Sequence, residues 1–187
     1  NRMLSVGLIL RKGIKGDLDL MPAVMKATML MGSERKKEIQ VGPLVQENQL
    51  IENFKYLFLM IAGNATQKYG NDLEKEQQVL LALSDILIEI YFCESAILRT
   101  IKNYNREGAK DQETQIEMVQ NYVFEAQSLM SRKAKEIIFH LTEDNKIERD
   151  QLINAVEKHG DYIKSPNYFA LRTKIADRFI KENSYFI

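Results

Sequence analysis

The stretch Leu73–Lys102, LEKEQQVLLALSDILIEIYFCESAILRTIK, constrains the chain most, because it holds neither Gly nor Pro over about thirty residues. Its apolar residues Val79, Leu80, Leu83, Leu87, Ile90, Tyr91, Ala96, Ile97 and Ile101 recur at three-and-four spacing, which places them on one face of a 3.6-residue helix. Leu81, Ile86, Ile88, Phe92, Cys93 and Leu98 widen that face until most of the circumference is apolar. The pattern predicts one helix over 73–102, about 45 Å long at about 1.5 Å per residue, with other helices surrounding it. Its isolated polar positions, Ser84, Asp85, Glu89, Glu94 and Ser95, are then the first places to look for buried chemistry.

The remaining segments read as helices too. Met3, Leu4, Val6, Leu8, Ile9 and Leu10 make a short apolar helix, with Gly7 small enough for another backbone to approach, and Gly13 and Gly16 stop it. A second helix follows Pro22, a residue suited to a first turn. Met21, Met25 and Met29 recur along it at a spacing that reads as adaptable core. Gly32 to Pro43, GSERKKEIQVGP, is a boundary: glycines, a proline and a charge run. Its Arg35, Lys36 and Lys37 could meet phosphate groups, but between two glutamates they read as solvated linker.

From Leu44 the helical period resumes through Phe54, Ile61 and Ala65 and ends near Gly70. Asn71 or Asp72 suits the N-cap of the central helix. After the polar connection KNYNREGAKD, Asp111 opens a helix to Leu141, which Thr142 to Asn145 breaks. A shorter helix over Ile147 to Val156 ends at His159-Gly160, and Ser165-Pro166 opens the last. No stretch alternates at period two, so the fold class is all-α: an antiparallel helical bundle with a short N-terminal helical extension.

At 187 residues the chain can bury a core unaided. Its 26 basic and 26 acidic residues cancel, so no global field favours nucleic acid. The single cysteine rules out an internal disulfide and fits a reducing compartment, the cytoplasm or, in a eukaryote, the mitochondrial matrix. Cys93 itself reads as a small buried hydrophobe rather than a reactive thiol. No apolar run is long enough for a transmembrane segment.

Candidate chemistry is sparse. A di-metal bundle site needs facing carboxylates and Glu-x-x-His pairs, but His140 follows Glu136 by four and His159 follows Glu157 by two, so neither fits. No metal ligands are expected. Glu89 and Glu94 could each act as a base, yet five residues apart they point about 140° away from one another, and Glu94 reads as a structural contact, with Arg99 five residues on as one partner. Tyr168, Phe169, Arg172, Lys174 and Arg178 mix aromatic and basic residues in the last helix, again core plus solvated face rather than a stacking platform.

Two stretches carry a resemblance. NRMLSVGLILRKGIKGDLDLMPAV resembles the end of the dehydrogenase domain in very-long-chain-type acyl-CoA dehydrogenases, and LSDILIEIYFCESAILRTIK resembles the core helix of the extra C-terminal helical domain of that branch. The resemblance implies an FAD-dependent parent enzyme of fatty-acid β-oxidation that takes hydrogen from the α and β carbons of an acyl-CoA, with a glutamate as base and the flavin accepting hydride. In the family that glutamate sits in a Tyr-Glu-Gly-Thr motif just before the segment matching Asn1-Arg2-Met3, so no catalytic and no cofactor-binding residue is carried over to this chain. The opening NRMLSVGLIL starts in mid-pattern, and the chain is expected to be a piece of a longer one.

The implied division is residues 1–32 as the end of the catalytic domain, 33–43 as linker and 44–187 as the helical bundle. The bundle would pack on the rest of the dehydrogenase chain, over surface that smaller relatives use to form tetramers, giving a homodimer with no FAD bound to this piece. Family members that bind membranes have a longer, more amphipathic linker than Gly32 to Pro43, so the resemblance does not carry membrane attachment over to this segment. The alternative is a stand-alone helical protein-interaction module that uses the methionine stripe as a partner groove.

Overall fold

The computed structural model describes residues 2–34, 42–107 and 109–182. Seven α-helices are described: α1 (Arg2–Lys15), α2 (Met21–Gly32), α3 (Val45–Tyr69), α4 (Gln77–Glu107), α5 (Ala109–Leu141), α6 (Lys146–His159) and α7 (Tyr168–Glu182), with no strand among the described residues. Arg35, Lys36 and Lys37 lie outside the described residues, as does Gly108.

The frame is α3, α4 and α5. Lys68 near the end of α3 donates to the carbonyl of Leu141 at the end of α5 at 2.7 Å, so these two helices run parallel, and α4 runs against both. Phe54, Leu57 and Ile61 of α3, Leu83, Ile86 and Ile97 of α4, and Met130 and Ile138 of α5 are all but inaccessible and form one continuous core. Each such side chain contributes roughly 1.5–3 kcal/mol on burial, offset by the entropy of ordering the chain.

The central helix begins later than its pattern suggests. Gly70 closes α3 with φ +53°, its N–H returning to Thr66, and residues Gly70–Lys75 wind into a 3-10 turn. Leu73 is buried there and joins the core from the 3-10 turn, so its place in the apolar pattern is met without its belonging to α4. Neither Asn71 nor Asp72 caps α4; Asp72 instead pairs with Lys75 at 2.6 Å on the surface. At the other end the polar residues after Lys102 stay helical to Glu107, since Lys, Arg and Glu are good helix formers that α5 supports. The connection to α5 is correspondingly shorter than the polar stretch implies.

Nor is α4 surrounded. Tyr91, Phe92 and Leu98 are 65%, 53% and 56% exposed, so its second half has one bare apolar flank.

The N-terminal helices lie on the frame. Val6 and Leu10 of α1 and Ala27 and Met31 of α2 join the buried set. The close helix approach expected at Gly7 occurs at Gly63 instead. A Cβ on Gly63 would come within 2.5 Å of Val24 Cγ1, whereas one on Gly7 would meet nothing within 4 Å. A glycine inside α3 lowers helix stability, and here it admits α2 against the helix backbone. Met21, Met25 and Met29 correct the core reading: at 64%, 63% and 76% exposed they form the outer face of α2. Three-and-four spacing finds a stripe without telling which side faces the core, and the smaller Ala27 took the inner place.

The remaining caps follow sequence chemistry. Asn145 accepts from Glu148 N–H at 3.2 Å and donates to the Glu148 carboxylate at 2.9 Å, a reciprocal cap for α6. The last helix starts at Tyr168, two residues beyond Pro166, with Asn167 accepting from Ala170 N–H.

Candidate functional site

Of the polar positions of α4, Glu89 and Glu94 meet neighbouring helices, while buried Ser84 donates to the Leu80 carbonyl of its own helix at 2.7 Å, Asp85 borders an open trough and Ser95 is exposed. Glu89 accepts a hydrogen bond from the Tyr122 hydroxyl of α5 at 2.9 Å. Burial, and then that carboxylate, raise the Tyr122 phenol above its ordinary value. Glu94 pairs with Lys55 of α3, which also meets Glu52 at 2.6 Å, so its partner in the structure is Lys55, not Arg99. Burial pulls the Lys55 ammonium down, but the two carboxylates outweigh it and hold the group above the usual lysine value. Glu89 and Glu94 therefore belong to opposite seams, each answering one neighbouring helix.

Cys93 is fully buried, and burial, with Glu89 nearby, pushes its thiol up to about 12. A thiol that stays protonated is neither a nucleophile nor a metal ligand.

The histidines are equally dispersed. His140 stacks on Tyr69 with ring centroids 6.2 Å apart and lies 3.4 Å from Glu76, while Glu136 is held by Arg132 at 2.8 Å and Lys133 at 3.1 Å. His159 is buried, with Nε2 3.3 Å from the Ser33 carbonyl, while Glu157 is turned to Lys135. Among the described residues no three His, Cys, Asp or Glu side chains gather as metal ligands. In α7, Arg172 pairs with Glu125 and Lys174 with Glu113 and Glu117, so the basic residues pin α7 to α5. Phe169 stays exposed and Tyr168 stacks on Phe124 at 3.6 Å.

A dense polar group lies where α3 and α5 receive the end of α6, built from residues that form no local sequence motif. Asn53 donates to the His159 carbonyl at 2.9 Å and Gln127 to the Gly160 carbonyl at 2.8 Å, so two buried amides take up carbonyls that the end of α6 leaves open. Gln46 grips Lys164 by both its N–H and its carbonyl. Glu47, almost fully buried, is raised above the usual carboxylate range by desolvation, against hydrogen bonds from its own backbone and from Gln120. Tyr162 and Tyr168 complete the group with rings 6.1 Å apart, both phenols raised by burial, Tyr168 to about 12. Among the described residues neither hydroxyl has a hydrogen-bond partner of ordinary geometry. The signal was in the spacing: Glu47, Leu50, Ile51 and Phe54 share one helical face, so a glutamate was due to be buried. This arrangement fastens the α6–α7 connection to the frame and presents no reactive group to solvent.

Hollows open at the surface among the described residues. One of about 320 Å³ lies between α1 and the start of α4, lined by Gly7, Leu10, Leu73 and Leu80 with the Arg11–Glu74 ion pair at its edge. The second, about 660 Å³, is an open trough between α4 and α5 near Glu76, Asp85, Lys133 and His140. No helix among the described residues is long and apolar enough to cross a membrane.

Comparison with known proteins places these features in context. The family described as acyl-CoA dehydrogenase, C-terminal domain, matches residues 53–157. A protein named probable acyl-CoA dehydrogenase from Bacillus subtilis (strain 168) is 29% identical over 158 residues, which is 84% of this chain and 26% of the relative. The crystal structure of an acyl-CoA dehydrogenase complexed with FAD from Bacillus anthracis is similar over 100% of this chain and 31% of its own, with a TM-score of 0.90 and 29% identity. The chain thus spans between a quarter and a third of the length of these relatives.

Proposed function

The chain belongs to the family of acyl-CoA dehydrogenase C-terminal domains, and from that premise we propose that it is the C-terminal helical region of a flavin-dependent acyl-CoA dehydrogenase, a structural and assembly domain. In this reading residues 1–32 close the dehydrogenase domain, 33–43 link, and 44–187 form the bundle. The parent enzyme acts in the cytoplasm on acyl-CoA as a homodimer. The observation that carries the reading is the likeness of the whole chain, α1 and α2 included, to an FAD-complexed dehydrogenase.

FAD, when bound in the parent, supplies the hydride acceptor for α,β-dehydrogenation. The residues of this chain do not fit it. The hollow beside α1 is near the lower limit for a drug-sized ligand and bordered by an ion pair, and the trough beside His140 is open and lined with charge. No step of the reaction is assigned to these residues. Their task is packing: α3, α4 and α5 form the frame, the buried amides lock α6 onto it, and the α7 ion pairs fasten the last helix.

A second reading, a stand-alone interaction module, is favoured by the exposed Met21, Met25 and Met29 face. The two separate on purification. The polypeptide encoded by the whole gene is expected to be yellow, with stoichiometric FAD, and to oxidise an acyl-CoA, while the 187-residue chain alone is colourless. Flavin or turnover in the 187-residue chain, or a gene product with neither, would overturn the proposal.

A further inference from the structure

Past Tyr168 the last helix has no buried side chain. Every residue from 169 to 181 is at least partly exposed, and the stripe Leu171, Ile175 and Phe179 is only half-buried. Charge is what joins α7 to α5. Arg172 donates from Nε to Asn121 at 2.7 Å and pairs with Glu125, Lys174 meets Glu113 at 2.6 Å and also Glu117, and Arg178 adds its charge near Glu113. Glu113, Glu117, Asn121 and Glu125 recur every four residues and so form one row along α5, which the α7 cations follow in reverse order. The two helices therefore run against each other. Glu113 and Glu117, one turn apart, repel unless Lys174 lies between them.

The chain leading to α7 is held quite differently. Gln127 takes the Gly160 carbonyl at 2.8 Å and Gln46 takes both backbone groups of Lys164, so the connection is fixed to the frame as far as residue 164. Residues 165–167, Pro166 among them, then lead into the helix. The one deep contact of α7 is Tyr168, whose ring stacks on Phe124 at 3.6 Å. Its buried hydroxyl has no hydrogen-bond partner of ordinary geometry among the described residues, which weakens that seat. A helix with one buried residue and a row of exposed ion pairs has little to hold it once the charges are screened.

We propose that α7 is a charge-held strap, which opens as one unit ahead of the α3–α5 frame by turning about residues 165–167 and whose hold is set by ionic strength. Its opening leaves Glu113, Glu117 and Glu125 unmatched along α5 and uncovers one side of the Phe124 ring. The frame stays shut, because Met130 and Ile138 of α5 are packed in the continuous core.

The test is amide hydrogen exchange of the full-length polypeptide, read by mass on peptides from α7 and from α3, α4 and α5. Raising sodium chloride from about 0.1 M to about 1 M shortens the screening length from about 10 Å to about 3 Å. Exchange in α7 is expected to accelerate at least about tenfold, and exchange in α3–α5 by less than about twofold. At the lower salt Arg172→Glu is expected to speed α7 exchange at least about fivefold, and the reversed pair, Arg172→Glu with Glu125→Arg, to return it toward the wild-type rate. Exchange in α7 that ignores salt, or that keeps step with α5 at both concentrations, would overturn the proposal. So would a reversed pair that exchanges as fast as Arg172→Glu alone, since the hold would then come from packing. None of these readings depends on flavin or turnover, so the strap and the proposed function fail separately.

Discussion

Lys55 sits between Glu52 and Glu94 on the seam of α3 and α4, about a third exposed, where solvent screens most of the attraction. Glu94→Gln is therefore expected to lower stability by no more than about 1 kcal/mol in a denaturant melt, with the difference shrinking in high salt. Leu83→Ala, at a fully buried position, is expected to cost about 2–5 kcal/mol, and Leu87→Ala, only half-buried, clearly less. Glu47 responds to pH. Its carboxyl is raised in the folded chain, so the folded state binds its proton more readily than the unfolded one. Stability from that proton is present at low pH and lost as pH rises through the folded value. Glu47→Gln, which cannot ionise, should match the wild type near the ordinary glutamate range and gain on it as pH rises toward neutrality. Melting temperatures of both proteins across that range provide the check. These two glutamates also mark what spacing can tell. Glu47 lay legibly on the core face of α3, but the partner of Glu94 came from another helix, which no local pattern specifies.

The helices carry their own arithmetic. Gly63 lets α2 settle on α3, and Gly63→Ala sets two effects against each other: a gain of up to about 1 kcal/mol in helix propensity, and a clash with Val24 of the overpacking kind, about 1–3 kcal/mol. The clash is with a short branched side chain that has little room to turn away, so net destabilisation is expected, with amide exchange in α2 accelerated more than in α5. Had α2 been held elsewhere, exchange would be unchanged. The number, order and approximate lengths of the helices could be read from periodicity because each buries a stripe. The start of α4 could not, since Leu73 satisfies the helical pattern yet joins the core from the preceding 3-10 turn. The methionines failed for a related reason: an apolar stripe fixes a face, and only packing decides whether that face turns inward.

For the molecule as a whole, cancelled charge and a continuous core describe a body with open apolar surfaces at the α2 methionines and along the second half of α4. The fold class was open to inspection, because seven amphipathic or apolar segments with no alternating stretch admit little else. The polar cluster at the end of α6 was hidden, because Asn53, Gln127 and Tyr162 are scattered in sequence and meet only after α3, α5 and α6 assemble. The most direct test of a structural role within a flavoenzyme is anaerobic reduction of the full-length polypeptide by acyl-CoA, read as bleaching of the visible flavin band, in the wild type and in Glu89→Gln and Glu94→Gln. Bleaching at the same rate in all three is expected. No flavin band in the wild type, or bleaching abolished by either substitution in a protein that still melts cooperatively, would contradict it.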